Sequence, residues 1–204
     1  IARLHSLRGI PVTHPATVYS LSTRLLHWSM AFCFIGAIVL AYFVIWVLGH
    51  DHPQRLPVLN LHWVLGLLVG LLLIPRIVSR LRGPRLPAVP GTPLEHRLAH
   101  YAHLSLYTLM LVMPLTGYVG TRLPTDFGLF VVPSFKDTAL FAWISQTWNL
   151  SWEAFEKPFD AVHRMVGLWL STSVVLLHAL AAGYHQWVRR DGTLERMLGR
   201  RQRR

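Results

Sequence analysis

The chain has 204 residues, 52% of them hydrophobic and only 14% charged, with a formal net charge of +11. Its length allows one compact domain, and its apolar stretches are too long for a soluble core, which places it among integral membrane proteins. The single cysteine, Cys33, sits inside an apolar run and excludes an internal disulfide.

Residues 1–22, with Arg3, His5, Arg8, Pro11 and Pro15, read as an extended N-terminal arm. No short apolar segment with a small-residue cleavage site marks a removable signal peptide there. The first predicted span runs from about Arg24 to Gly49, and a short polar link, HDHPQRLP, leads to a second from about Val58 to Arg80. A basic, proline-rich loop follows, then a third span from about Leu98 to Thr121. The loop 122–158 is rich in Phe and Trp, side chains that favour the headgroup level of a bilayer. A short helix at about Asp137–Leu150, lying in the outer interface, fits this composition, and so does a folded cap on the bundle. The fourth span covers Phe159–Trp187, and a basic tail occupies 189–204. The expected fold is therefore all-α: a four-helix membrane bundle over 23–188, flanked by an arm and a tail.

Four spans put both termini on one side. Of the 20 Lys and Arg residues, only Arg55, Arg122, Lys136, Lys157 and Arg164 fall on the opposite side. The positive-inside rule then places both termini in the cytoplasm. The basic charge is accounted for by topology and contact with anionic lipid, so nucleic acid is not expected as a partner.

The fourth span carries His163, His178 and His185 in an otherwise apolar setting. Ionisable residues at membrane depth are expensive and mark function by default. His163 and His178 are fifteen residues apart, roughly 22 Å along an ideal helix and about 60° around it. They therefore lie at opposite depths on broadly the same side. His62, near the outer start of the second span, matches the depth of His163, and His27, near the inner start of the first, matches that of His178. Paired imidazoles facing one another across a bundle suit the axial positions of haem iron. A tetrahedral zinc site would need four ligands at one depth, with the usual Cys, Asp or Glu partners, and the sequence gathers none. Any one of these histidines alone would also suit a hydrogen-bonding core residue or a proton relay. Gly36, Gly66, Gly70, Gly167 and Gly183 leave room for a flat cofactor or for close helix packing. Arg76 and Arg80 read either as partners of haem propionates or as inner-face anchors.

The motifs RLLHW, NLHWVLG, RLAHYAHLSLY and HALAAGYHQWVRRDGTLERML, in order over about Ser22–Leu198, resemble the prokaryotic cytochrome b561 family, in particular its small diheme members of the superoxide oxidase type. The resemblance implies two b-type haems, ligated by His27 and His178 on the inner side and by His62 and His163 on the outer side. It also implies an inner quinone site at His103 and His185. Members usually have one residue fewer between the two ligands of the fourth span. Fourteen steps would turn the helix by about −40° instead of about +60°. A π-bulge between Gly167 and His178, with Ser171–Ser173 as a candidate place, would absorb the extra residue. The outer loop and the N-terminal arm are longer than in the small members, which offers docking surfaces for other membrane subunits.

The function implied is electron transfer between the outer face and the quinone pool. One reading is superoxide oxidation coupled to ubiquinone reduction. A second is a non-catalytic cytochrome b subunit of a larger respiratory or photosynthetic complex, taking electrons from a redox protein. A third, a proton or ion transporter using the same histidines, predicts no haem spectrum. The outer side carries six acidic residues against five basic ones, so long-range attraction of an anion is poor there.

Overall fold

The computed structural model describes residues 18–84 and 86–200, so most of the N-terminal arm lies outside the described residues. Three helices follow one another, α1 (Leu21–Trp46), α2 (Arg55–Arg82) and α3 (Pro93–Val119). A two-stranded hairpin, β1 (Thr125–Asp126) with β2 (Val131–Val132), and a short helix α4 (Ala139–Trp148) precede α5 (Trp152–Met165). A π-helical segment, Val166–Ser171, joins α5 to α6 (Thr172–Tyr184), and a second, His185–Arg189, leads towards α7 (Thr193–Leu198). Trp152–Arg189 is thus one continuous helical rod, which begins at Trp152 and not at Phe159. With α1, α2 and α3 it gives four helices long and apolar enough to cross a membrane.

The helix ends follow local chemistry. Ser20 caps α1, its hydroxyl accepting from the Thr23 N–H, and Thr92 caps α3 in a capping box with Glu95, with Pro93 in the first turn. Gly83 ends α2, and Asn149, at φ 47°, ends α4 in the left-handed conformation. The bundle core is built by Met30, Cys33 and Phe34 of α1, Val69 and Leu73 of α2, and Leu109 and Met113 of α3. A Cβ on Gly70 would stand 3.2 Å from Pro114, and one on Gly167 would stand 2.8 Å from the Met113 methyl. These two glycines serve close helix approach. Gly66 differs: a Cβ there would meet no protein atom within 4 Å.

The outer loop folds against the end of the bundle. Phe135, Phe141 and Trp152 are buried with Val119, the last residue of α3. Asn60 of α2 clamps the hairpin through two hydrogen bonds of 2.8 Å, to the carbonyl and the N–H of Asp126. The loop is therefore a packed cap, and its helix is two residues shorter at each end than Asp137–Leu150, with a separate 3-10 turn, Phe135–Asp137, before it. It also presents apolar side chains outward, with Leu129 96% exposed at the hairpin tip and Trp143 and Trp148 both exposed. The two readings of this loop are its two faces.

The basic tail is docked as well. Arg24 and Trp28 of α1 donate to the carbonyls of Leu198 and Met197, and the Tyr19 N–H donates to the Arg196 carbonyl. The start of α1 and the end of the fourth rod therefore meet at one end of the bundle, as an even number of spans requires.

Candidate functional site

Two pairs of histidines stand at opposite ends of the bundle. At the capped end the rings of His62 (α2) and His163 (α5) have centroids 6.0 Å apart, at 89°. At the end where the termini meet, His27 (α1) and His178 (α6) are 6.2 Å apart, at 68°. Two imidazoles sharing one metal through bonds of about 2 Å have ring centres about 6 Å apart. Both separations fit a single iron between each pair.

Hydrogen bonds around the His62–His163 pair fix the protons of both rings. His62 Nδ1 lies 2.8 Å from the Ala37 carbonyl, which can only accept, so Nδ1 carries the proton and Nε2 keeps its lone pair. The Thr116 hydroxyl donates to the Val112 carbonyl at 2.7 Å, and this leaves its oxygen to accept from His163 Nδ1 at 3.2 Å. Such outer partners fix the tautomer and the orientation of a metal-bound imidazole. Gly117 completes the seat, since a Cβ there would be 2.8 Å from His163 Cε1. Both rings line a cavity of about 660 Å3, within the size range of cofactor pockets. The open side of Gly66 and the buried Ser171 hydroxyl, which has no hydrogen-bond partner among the described residues, belong to its wall. The donor set, the ring spacing and the room suit a haem.

The π-helical segment makes the two pairs compatible. It occupies Val166–Ser171, overlapping the expected Ser171–Ser173 at Ser171, and changes the angular register between His163 and His178. Both histidines consequently face their partners. Tyr42 of α1 supports this wide turn, its hydroxyl donating to the Leu168 carbonyl at 2.6 Å and lying 3.3 Å from Thr172 Oγ1. Backbone polar groups at membrane depth need such partners.

At the end where the termini meet, His178 has a second neighbour. The His103 ring of α3 lies 5.6 Å away at 76°, with its Nδ1 2.7 Å from the Ala99 carbonyl. His103 therefore keeps Nε2 free beside the inner pair. Arg76 turns inward, donating to the Thr23 carbonyl at 2.6 Å and standing 3.5 Å from His27 Nδ1, whereas Arg80 is exposed. Arg76 is thus more than a surface anchor. His185, two turns beyond His178, begins the second π-helical segment, and its Nδ1 is 2.5 Å from Asp191 Oδ2. Asp191 is 10% exposed. Burial works to raise its pKa, but hydrogen bonds from the Thr193 hydroxyl, His185 and the Thr193 N–H outweigh this and hold the carboxyl below its ordinary range.

Sequence reasoning missed Tyr42, Thr116, Gly117 and Asp191. Their only sequence signal is an ordinary residue type, and their roles depend on how neighbouring helices and the tail are placed.

The sequence profile of the prokaryotic cytochrome b561 family matches residues 18–200. The chain belongs to the prokaryotic cytochrome b561 family. It is 27% identical over 188 residues to cytochrome b561 homolog 2 of Escherichia coli (strain K12), covering 89% of this chain and 92% of that relative. It is 30% identical over 143 residues to the probable superoxide oxidase CybB of Yersinia pestis, covering 68% of this chain and 73% of the relative. Cytochrome b561 homolog 1 of Escherichia coli (strain K12) is 28% identical over 149 residues. As a cytochrome b561 the protein is a multi-pass membrane electron-transfer protein of a family that binds b-type haem.

Proposed function

We propose that this cytochrome b561 holds two b-type haems, one between His27 and His178 and one between His62 and His163, and links an outer electron donor to the quinone pool. The observation that carries the reading is the pair of imidazole gaps, 6.0 and 6.2 Å, at opposite ends of one bundle. Each haem supplies one-electron exchange. The chain supplies the rest. Ala37 and the Thr116–Val112 relay hold His62 and His163 in the tautomer that ligates, Gly117 lets the His163 ring lie flat against α3, and the outer cap and apolar core exclude water. At the inner end His103 and His185 offer hydrogen bonds and protons to a quinone carbonyl from the side we assign to the cytoplasm, where the termini meet.

The outer donor is superoxide, which loses one electron and leaves as dioxygen, with ubiquinone as acceptor. The resemblance to the probable superoxide oxidase supports this choice. A second reading, a conduit that takes electrons from a partner protein, is favoured by one observation. Of the two arginines lining the cavity, Arg164 is paired with Asp160 at 3.6 Å, while Arg55 keeps its charge but has its guanidinium tied to the Val44 and Leu48 carbonyls. One net positive charge is a weak local field to draw an anion. The test is a pyridine haemochrome on the purified protein, followed by stopped-flow reduction with superoxide and reoxidation with a soluble ubiquinone. Two haems per chain and rapid reduction support the enzyme. Two haems with slow reduction select the conduit, and one haem or none removes the diheme reading.

A further inference from the structure

We propose that Asp191 is a positioning residue for the inner quinone site, holding His185 with its proton on Nδ1 and its Nε2 turned to the quinone. This rests on the reading of His185 as a quinone contact.

The geometry is built, not incidental. The fourth rod leaves regular α-helix at His185, and π-helical turns recur at functional sites. The chain then reverses through two left-handed residues, Arg190 at φ 51° and Gly192 at φ 78°. Arg190 is not glycine, so this conformation costs free energy that the surrounding contacts must offset. The reversal brings Asp191 back beside His185, six residues earlier, at 2.5 Å. The other carboxylate oxygen is fixed by the Thr193 hydroxyl at 2.6 Å and the Thr193 N–H at 3.1 Å. Arg189 Nε stands 3.8 Å from Asp191 Oδ2, and its guanidinium is anchored on Glu95 of α3 at 2.5 Å and on the Pro90 carbonyl at 2.9 Å. Among the described residues, the charged groups paired with the dyad are Arg189 and, through it, Glu95, while the Tyr184 ring flanks His185 at 6.0 Å. A carboxylate fixed by this many partners orients an imidazole and stabilises its protonated form, as the orienting acid of a catalytic triad does.

The chemistry balances simply. A quinone takes two electrons, delivered one at a time by the reduced cytochrome, and two protons, and each carbonyl becomes a hydroxyl. His185, protonated on both nitrogens, gives its Nε2 proton to one quinone oxygen and is reprotonated at Nε2 from water, while Nδ1 keeps its proton towards Asp191; the other oxygen takes its proton from water. Asp191 itself transfers nothing.

The test compares wild type with Asp191→Asn, Asp191→Glu and His185→Ala. In Asp191→Asn, haem content and dithionite reduction stay as in wild type. Reoxidation of the reduced cytochrome by ubiquinone-1 slows at least about tenfold at pH 7. The factor of slowing changes with pH, because the carboxylate no longer sits beside the ring. Asp191→Glu restores part of the rate. A readout independent of turnover is the ring signal of 15N-labelled histidine that disappears in His185→Ala. It reports an Nδ1-protonated ring in wild type and a mixture of tautomers in Asp191→Asn. Haem loss in Asp191→Asn, or slowing by one factor at every pH with an unchanged tautomer, assigns Asp191 a structural role and overturns the proposal. If His185→Ala slows reoxidation and Asp191→Asn does not, Asp191 falls and the quinone site stands. If His185→Ala itself leaves reoxidation unchanged, both fall together.

Discussion

Replacing Gly117 by alanine tests the outer haem site at its tightest contact. The new Cβ would lie 2.8 Å from Cε1 and 3.1 Å from Nδ1 of His163, against an ordinary contact of at least 3.4 Å. The ring must retreat by roughly 0.6 Å or the α3–α5 interface must open by as much. Moving the ring strains the 3.2 Å hydrogen bond to Thr116 and shifts Nε2 from its place opposite His62. Overpacking of this kind costs about 1–3 kcal/mol. At about 1.4 kcal/mol per factor of ten, outer haem affinity falls by about 5- to 140-fold. The inner pair shares no residue with this contact, so its haem stays. The assay is haem per chain by pyridine haemochrome during dilution into haem-free detergent, with a potentiometric titration to identify the haem that leaves. Selective loss of one redox component is the expected outcome. Full retention of both haems, with an unchanged spectrum and dissociation rate, would refute the placement of Gly117 beneath a ligand ring.

Three further outcomes follow from the same geometry. His62→Ala removes the outer haem and spares the inner one, whereas His178→Ala does the reverse; the two single mutants, titrated potentiometrically, should retain different components. Tyr42→Phe leaves the Leu168 carbonyl of the wide turn without its hydroxyl partner, costing about 1–2 kcal/mol, and a thermal melt in detergent should fall by a few degrees while haem content at low temperature is kept. The Asp191 carboxyl has a lowered pKa in the folded chain, so its contribution to docking the tail is fully present above the ordinary aspartate value of 3.8 and is lost as pH falls through the folded value. Proteolysis of α7 by an acid-active protease should therefore rise as the pH falls through that acid range.

The number, order and approximate extent of the spans were legible in the sequence, because a bilayer demands long apolar runs and tolerates few charges within them. The four paired histidines were legible for the same reason: depth along a spanning helix is almost a function of residue number, so His62 matches His163 and His27 matches His178 before any fold is known. The irregular turn between His163 and His178 was expected only from the resemblance, whose members have one residue fewer there, and a π-helical segment is found at Val166–Ser171. Rotation of each helix about its axis and the path of each loop are not functions of residue number. Only tertiary packing decided that Tyr42 meets Leu168, that Gly117 lies beneath His163 and that Asn60 holds the hairpin. Asp191 shows the limit most clearly. In sequence it is one acid in a basic tail, and it becomes the partner of His185 because Arg190 and Gly192 adopt left-handed backbone and Arg189 ties the rod to α3. Hydropathy carries depth, but the polar contacts that set the tautomers of His62 and His163 arise only when different helices pack together.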